Sequence, residues 1–303
     1  MVEVLKVGTL TGHSGSIYAL ARGSKPNMFF SGGADGQVAM WNLETPEEGK
    51  LIARLPNSVY ALHHLNDQNQ LLIGQNFEGI HLVDYVSKKE VSSLRLTSAS
   101  IFDLLVVGNK IFVATGTGEV VVVDLEAFRE VMRFKFSQQS ARSIAFNAYK
   151  NELAIGYSDN FVRIVDLKDL NLKQEFHAHT NSVFCVNYSP DGHFLLTGSR
   201  DAHLKVWDVE EQYRLERDIV AHMYTINHLE FSPDGKHFVT CSMDKSIKVW
   251  DGADFRLLKV IDKARHAGHG TSVNKLAWTS FNNQLVSASD DRTISIWNIF
   301  FKL

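Results

Sequence analysis

Long apolar runs are missing from this chain. Nowhere do eighteen apolar residues follow one another, which argues against a membrane-crossing helix. The opening stretch, MVEVLKVGTLTGHSGS, lacks the basic-then-apolar pattern of an export signal. Cysteine is nearly absent: only Cys185 and Cys241 occur in 303 residues, both in apolar strand-like runs. A disulfide framework is thereby excluded; buried, reduced thiols are expected, with the cytoplasm as the expected location. Neither charge sign is in excess, 31 Lys and Arg standing against 34 Asp and Glu for a net charge of -3. That balance gives no global attraction to phosphate backbones, so nucleic acid is not an expected partner unless a local basic patch exists. A phosphate-cradling loop is missing too, because Gly116-Thr117-Gly118 runs into Glu119 and a strand rather than into Lys and a helix, and no cofactor is expected.

What is present is repetition. LLTGSRDAHLKVWD (195–208) shares its ending with SGGADGQVAMWN (31–42), CSMDKSIKVWD (241–251) and SASDDRTISIWN (287–298). Between Trp41 and Trp207, three weaker copies end in Val83-Asp84, Val123-Asp124 and Val165-Asp166. The successive spacings are 42, 40, 42, 42, 43 and 47 residues. Four residue types recur in register: His13, His179, His222 and His269 each stand 28 residues before Trp41, Trp207, Trp250 and Trp297. Ser31, Thr197, Thr240 and Ser287 stand ten before the same tryptophans, and Asp35, Asp201, Asp244 and Asp291 six before them. In an antiparallel meander the loop entering the first strand and the turn between the second and third share one end, so each His and Asp can meet there. The hydroxyl and the indole N–H then complete a chain of mutually satisfied polar groups.

A Gly-His early, a Trp-Asp late and a period of 40 to 45 residues resemble the WD-repeat β-propeller family, and the resemblance covers essentially all 303 residues. It implies an all-β fold, a seven-bladed β-propeller with four antiparallel strands per blade, read as one domain over 1–303. The segment EVLKVGTL (3–10) runs into Thr11-Gly12-His13 as a fourth strand should, so the N-terminal strand is expected to pair into the last blade and close the ring. A trio such as Ser31, His13 and Asp35 has the composition of a hydrolase triad. Its fourfold recurrence, each time with a Trp that hydrolysis does not need, favours a structural reading, and no catalytic residue is expected. The pairs His177/His179 and His266/His269 each include a histidine that the repeat explains, and no metal is expected. Blades two to four lack the His and Trp, only blade four keeps the Asp (Asp159), and their packing is expected to be apolar.

The first strand of every copy breaks the two-residue period, with apolar residues at i and i+3, as in Ile17 and Leu20 or Val273 and Leu276. Seven such breaks predict a bulge in each first strand, re-aiming one side chain toward the channel mouth. The re-aimed residues are Tyr18, Tyr60, Phe102, Arg142, Phe184, Asn227 and Asn274, rich in the aromatic and Arg types that dominate binding hot spots. Residues just before the turn Asp, namely Ala34, Ser158, Arg200, Met243 and Asp290, would ring the same face. That face is the docking surface the resemblance implies; the equivalents in blades two and three are not assignable from sequence. The connection from Trp250 to His269 is 19 residues against 15 from Trp207 to His222, and its extra residues fall near Lys263, Ala264, Arg265 and His266. They are expected on the same face, where the basic Lys263 and Arg265 are candidate contacts for an acidic partner segment or a phosphate, although such a short charged loop is more often simply solvated. His63-His64, in the first strand of blade two, is expected to be partly exposed.

The function the resemblance implies is a non-catalytic protein–protein interaction scaffold, a monomeric propeller within a larger complex, presenting this face to a protein or peptide partner. Two alternatives stand beside it: a propeller-based enzyme with its site at the channel mouth, and a reader of methylated or phosphorylated peptides. In the methyl-reading case the aromatic arc, with Asp103 or Asp290 nearby, would hold a methylated lysine or arginine.

Overall fold

Each repeat unit supplies four short segments rich in strand-forming residues and punctuated by Gly, Asp or Asn, and each segment becomes a strand. The computed structural model describes residues 2–65 and 68–301, and among these the strands form seven four-stranded antiparallel sheets. In the first unit the meander runs Ile17–Arg22, Met28–Gly33, Gln37–Asn42 and Lys50–Arg54, here termed strands A to D from the axis outward. Strand A of each blade packs against strand A of both neighbours, and Ile17–Arg22 meets Val273–Trp278, so the sheets form a closed ring.

Packing between blades explains the sequence pattern. Strand B is covered on both faces, which is why runs such as Lys110–Thr115 (KIFVAT) and Glu152–Tyr157 (ELAIGY) read as near-continuous apolar stretches. Strand D lies at the rim, and Arg129–Lys135 is largely exposed. The core is a series of clusters between adjacent blades: Leu72 and Ile80 of blade two pack with Ile101, Leu104 and Val113 of blade three. No blade buries its own faces, so the ring is the unit of stability.

The expected closure is present. Val2–Leu10 pairs antiparallel with Ile294–Phe301, from Val2 opposite Phe301 to Leu10 opposite Ile294, making it strand D of blade seven. The expected bulges are present as well. In every blade the A–B register skips one residue of strand A, between Ile17 and Ala19, Val59 and Ala61, Ile101 and Asp103, Ala141 and Ser143, Val183 and Cys185, Ile226 and His228, and Val273 and Lys275. The skipped residues are the seven singled out in the sequence.

Two features differ from expectation, and a third is a turn that departs from the other blades. Blades two to four do replace the hydroxyl by Ile73, Val113 and Ile155, all fully buried. Blade four nevertheless has a polar lock of its own: the buried Arg163 guanidinium bridges Asp159 (2.8 Å) and Glu175 (2.9 Å) and lies 4.7 Å from the Tyr157 ring centre. In blade four the Arg four residues on pairs with Asp159, where blades one, five, six and seven set a His ring N–H against the turn Asp. Second, His64 is buried, its ring stacked 5.9 Å from Phe30, whereas His63 is half-buried on the channel wall. Third, the B–C turn of blade two puts its positive φ at Phe77 (64°), where the other blades use the next position, as at Gly36 (67°) and Gly118 (83°). A Cβ at Gly36 would come 2.1 Å from the Leu55 carbonyl oxygen, so that turn requires glycine.

Candidate functional site

The four polar quartets assemble with nearly identical geometry. His13 Nδ1 lies 3.1 Å from the Asp35 carboxylate, its Nε2 lies 2.8 Å from Ser31 Oγ, and Trp41 Nε1 donates to the same Oγ at 2.8 Å. For His179, His222 and His269 the hydroxyl stands 2.8, 2.8 and 2.9 Å from Nε2, and the Trp N–H donates to it at 2.9 Å in all three. One proton arrangement satisfies every member: the imidazole donates from Nδ1 to the carboxylate, the hydroxyl donates to Nε2, and the indole donates to the hydroxyl oxygen. A serine in this setting is clamped between two rings, and its lone pairs face the indole rather than an open cleft. The quartets thus tie the loop entering strand A to the B–C turn and strand C.

Burial disfavours the imidazolium, so His179 and His222 titrate below the usual histidine value despite the facing aspartates. Burial, the largest single effect, would raise Asp201, Asp244 and Asp291. The hydrogen bonds from their histidines, together with those from neighbouring backbone N–H and hydroxyl groups and the attraction of the imidazole, outweigh it and hold all three well below the usual carboxylate range. Both effects have one sign. The unfolded chain takes up protons on His below pH about 6.5 and on Asp below about 3.9, while the folded chain does so only at lower pH. Stability is therefore full above pH about 6.5, declines as pH falls below it, and falls more steeply below about 4. Thermal melting followed by circular dichroism from pH 8 to 3 checks this; a maximum near pH 5 contradicts it.

Inside the ring of quartets, the seven bulge residues come together. Tyr18, Tyr60, Phe102, Arg142, Phe184, Asn227 and Asn274 line a single cavity of about 260 Å³ at the channel mouth, with Asp103, Ser143, His228 and Lys275 as its floor. All seven are half-buried. The first five form a continuous arc over blades one to five. Tyr18 meets Tyr60 edge-on at 4.7 Å, Tyr60 stacks on Phe102 at 6.0 Å, and the Arg142 guanidinium lies 4.1 Å from the Phe102 centroid and 4.6 Å from that of Phe184. Arg142 Nε donates to Ser158 Oγ at 2.9 Å, fixing the plane of the guanidinium. Burial lowers its pKa, Tyr60 counteracts this and Arg200 adds to it, yet a guanidinium stays charged at any physiological pH.

The two asparagines do different work. Asn227 Nδ2 donates to Ser272 Oγ (2.9 Å) and the Val273 carbonyl (2.8 Å), and Asn274 Nδ2 donates to the Ile17 carbonyl (3.0 Å) and Asp290 Oδ1 (2.8 Å). Each staples its blade to the next, whereas the side chains from Tyr18 to Phe184 form the continuous arc on the other side of the mouth.

Around this mouth, the residues before the turn Asp form a second ring. The backbone N–H groups of Ala34, Ser158, Arg200, Met243 and Asp290 donate to the carbonyls of Ser16, Ser140, Ser182, Thr225 and Ser272. The same bond made by Asn76 to Ser58 and by Gly116 to Ser100 identifies the blade two and blade three equivalents. Ala34, Arg200 and Met243 are exposed, and Ser158 and Asp290 half-buried. The extra residues between blades six and seven fold into a short helix, Lys263–His266, capped by Asp262. Arg265 pairs with that Asp at 2.6 Å, while Lys263 is exposed and its ammonium has no partner among the described residues.

Of the floor residues Asp103, Ser143, His228 and Lys275, the sequence singles out only Asp103, as a carboxylate beside the arc. Each sits one position beyond a bulge residue, so the repeat column next to the predicted one carried the signal. Asp103 accepts the Leu104 and Ile144 backbone N–H groups, and His228 Nδ1 accepts that of Leu276. Burial holds His63 and His228 below their usual pKa, so both are neutral on the channel wall. Below the mouth the channel widens to about 790 Å³, with Glu230 3.7 Å from Arg22 toward its far end. Cys185 and Cys241 are free and buried, and burial pushes the Cys185 thiol up to about 12, which leaves it unreactive. Among the described residues, no three or more His, Cys, Asp or Glu side chains converge as metal ligands, and no helix is long and apolar enough to cross a membrane.

A closed ring of seven four-stranded blades, with four of them locked by His, Ser or Thr, Asp and Trp, defines a β-propeller of the WD type. The family model of the WD40 repeat, "WD domain, G-beta repeat", matches residues 5–42, 170–208, 214–251 and 262–298, and the chain belongs to that family. The matched stretches are the units ending in Trp41, Trp207, Trp250 and Trp297; the unmatched ones have lost the His and Trp. Among similar proteins, the "Cilia- and flagella-associated protein 44" of Mus musculus is 25% identical over 264 residues, 70% of this chain and 14% of its own length. The "Periodic tryptophan protein 2 homolog" of Mus musculus is 26% identical over 227 residues, 66% of this chain and 24% of that protein. The "THO complex subunit 3" of Arabidopsis thaliana is 21% identical over 211 residues, 66% of this chain and 65% of its own length. This chain thus spans less than two thirds of each of these relatives.

Proposed function

We propose that the protein is a non-catalytic interaction platform that presents the channel mouth, through the arc Tyr18, Tyr60, Phe102, Arg142 and Phe184, to a protein or peptide partner. One observation carries this reading: seven bulges, one per blade, deliver those side chains to a single cavity, and five of them form an aromatic and cationic surface of hot-spot composition. A relative named as a subunit of a complex is consistent with a propeller that acts as a monomeric part of a larger assembly. The cytoplasm fits the two free, buried thiols. A mouth without catalysis is supported by the engagement of Asp103 and His228 with backbone N–H groups, which leaves neither poised toward a substrate. A cage for methylated lysine is disfavoured because Phe102 and Phe184 already face the Arg142 cation, and Asp290 is committed to Asn274.

The test is affinity purification from the native host with wild type and with Tyr60→Ala and Arg142→Glu. A co-purifying partner should bind each variant more weakly by about 2 kcal/mol, roughly thirtyfold, with the melting midpoint within a few degrees of wild type. A partner retained at full affinity by both folded variants overturns the assignment of the mouth.

A further inference from the structure

The rim of the same face is chemically lopsided. On blade six Met223 is 82% exposed, Tyr224 59% and Met243 56%, a cluster of large apolar side chains in open solvent. Local hydrogen bonds hold them side by side: the Met223 N–H donates to Asp244 Oδ2 at 3.1 Å, the Met243 N–H to the Thr225 carbonyl at 3.0 Å, and Ser242 Oγ to the Tyr224 carbonyl at 3.2 Å. The loop entering blade six is anchored to the neighbouring turn of blade five, since the His222 N–H donates to the Ala202 carbonyl two residues past Arg200. On the other side, Ile247 pairs with Ile261, which brings the Lys245 turn next to the Lys263 helix.

The charges around this cluster have one sign. Arg200, Lys245, Lys263 and Arg292 are exposed, and their charged ends have no partner among the described residues. The acidic groups of this sector are already spoken for: Asp201, Asp244 and Asp291 inside the quartets, Asp262 by Arg265, Asp290 by Asn274. An apolar patch ringed by unopposed cations selects an occupant that brings apolar side chains and negative charge together. Methionine suits such a surface because its flexible thioether adapts to varied apolar shapes.

We infer that the sector of blades five to seven centred on Met223, Tyr224 and Met243 docks a short acidic segment of a partner protein, with Asp or Glu flanking large apolar residues. The inference rests on the platform reading but uses a surface apart from the channel mouth.

The experiment sorts a displayed library of random short peptides on the immobilised protein, then titrates the enriched peptides against variants. Enriched peptides should combine acidic and large apolar residues. Met223→Glu with Met243→Glu, and separately Lys245→Glu with Arg292→Glu, should each weaken them at least about tenfold, while Arg142→Glu leaves them unchanged. Binding should also weaken with added salt. The substituted Met, Lys and Arg positions of the patch are exposed and Arg142 is half-buried, and melting curves overlaying wild type confirm intact folds. Enrichment of neutral or basic peptides, or none, overturns the inference. So does binding lost with Arg142→Glu but kept by the blade-six variant, an outcome that leaves the mouth reading standing. Self-association of the protein abolished by Met223→Glu would assign the patch to a second copy and likewise overturn it.

Discussion

Deleting residues 2–10 is expected to cost about 5 kcal/mol or more, in the range reserved for loss of a whole structural device. Strand D of blade seven would vanish, leaving the Ile294–Phe301 ladder unpaired along its outer side and removing Leu10, which is buried against blade one. Lys6, whose ammonium lies 5.4 Å from the Trp297 ring centre and bonds the Ala267 carbonyl, would go with it. An open ladder edge is a template for pairing with another chain, so the truncated protein should also aggregate. Melting and size-exclusion measurements should show an early, broadened transition and large species, and a synthetic peptide of residues 2–10 added in trans should restore much of the loss. A truncated protein that melts like wild type would mean that this strand does not hold the ring.

Trp297→Ala is expected to be the most damaging single substitution among the quartets. Trp297 is fully buried, packs with Trp278, Ile299 and Val249 between blades six and seven, and donates to Ser287. Removing so large a buried side chain costs about 3–5 kcal/mol, which lowers the melting midpoint by roughly 6–20 °C. Ser287→Ala separates the polar part: it removes few atoms but leaves His269 Nε2 and Trp297 Nε1 buried without partners, at about 1–3 kcal/mol. Because the serine belongs to the frame, Ser287→Ala should leave partner affinity at the mouth unchanged once folding is corrected for. Equal melting of Trp297→Ala and wild type contradicts the frame reading.

Much of this was legible because a repeat converts sequence position into spatial position. The spacings of 28, ten and six placed His13, Ser31, Asp35 and Trp41 within one hydrogen-bonded chain, and the i, i+3 break named the residue that each A–B register skips. What the repeat hides is whatever differs between blades and meets across them. Arg142 lies between Phe102 and Phe184, side chains of three different blades, and no periodicity within one unit specifies that contact. Arg163 rescues blade four through Asp159 and Glu175 by chemistry the other copies lack. The Lys263–His266 segment reads as a basic loop, yet its Asp262 cap pairs with Arg265 and leaves Lys263 as the exposed cation without a partner among the described residues. Met223 and Tyr224 lie in a connection with no hydrophobic period, so their exposure emerges only from the coordinates.

The central claim is that a rigid ring offers its quartet-bearing face, and above all the bulge residues at the channel mouth, to a partner. Hydrogen exchange of the propeller with and without its bound partner tests this directly. The account predicts new protection in the inner-strand segments around Tyr18, Tyr60, Phe102, Arg142 and Phe184, with the strands behind the quartets unchanged. Protection confined to the opposite face, in the A–B loops around Ser24, Tyr149, Pro190 and Pro233, would contradict it.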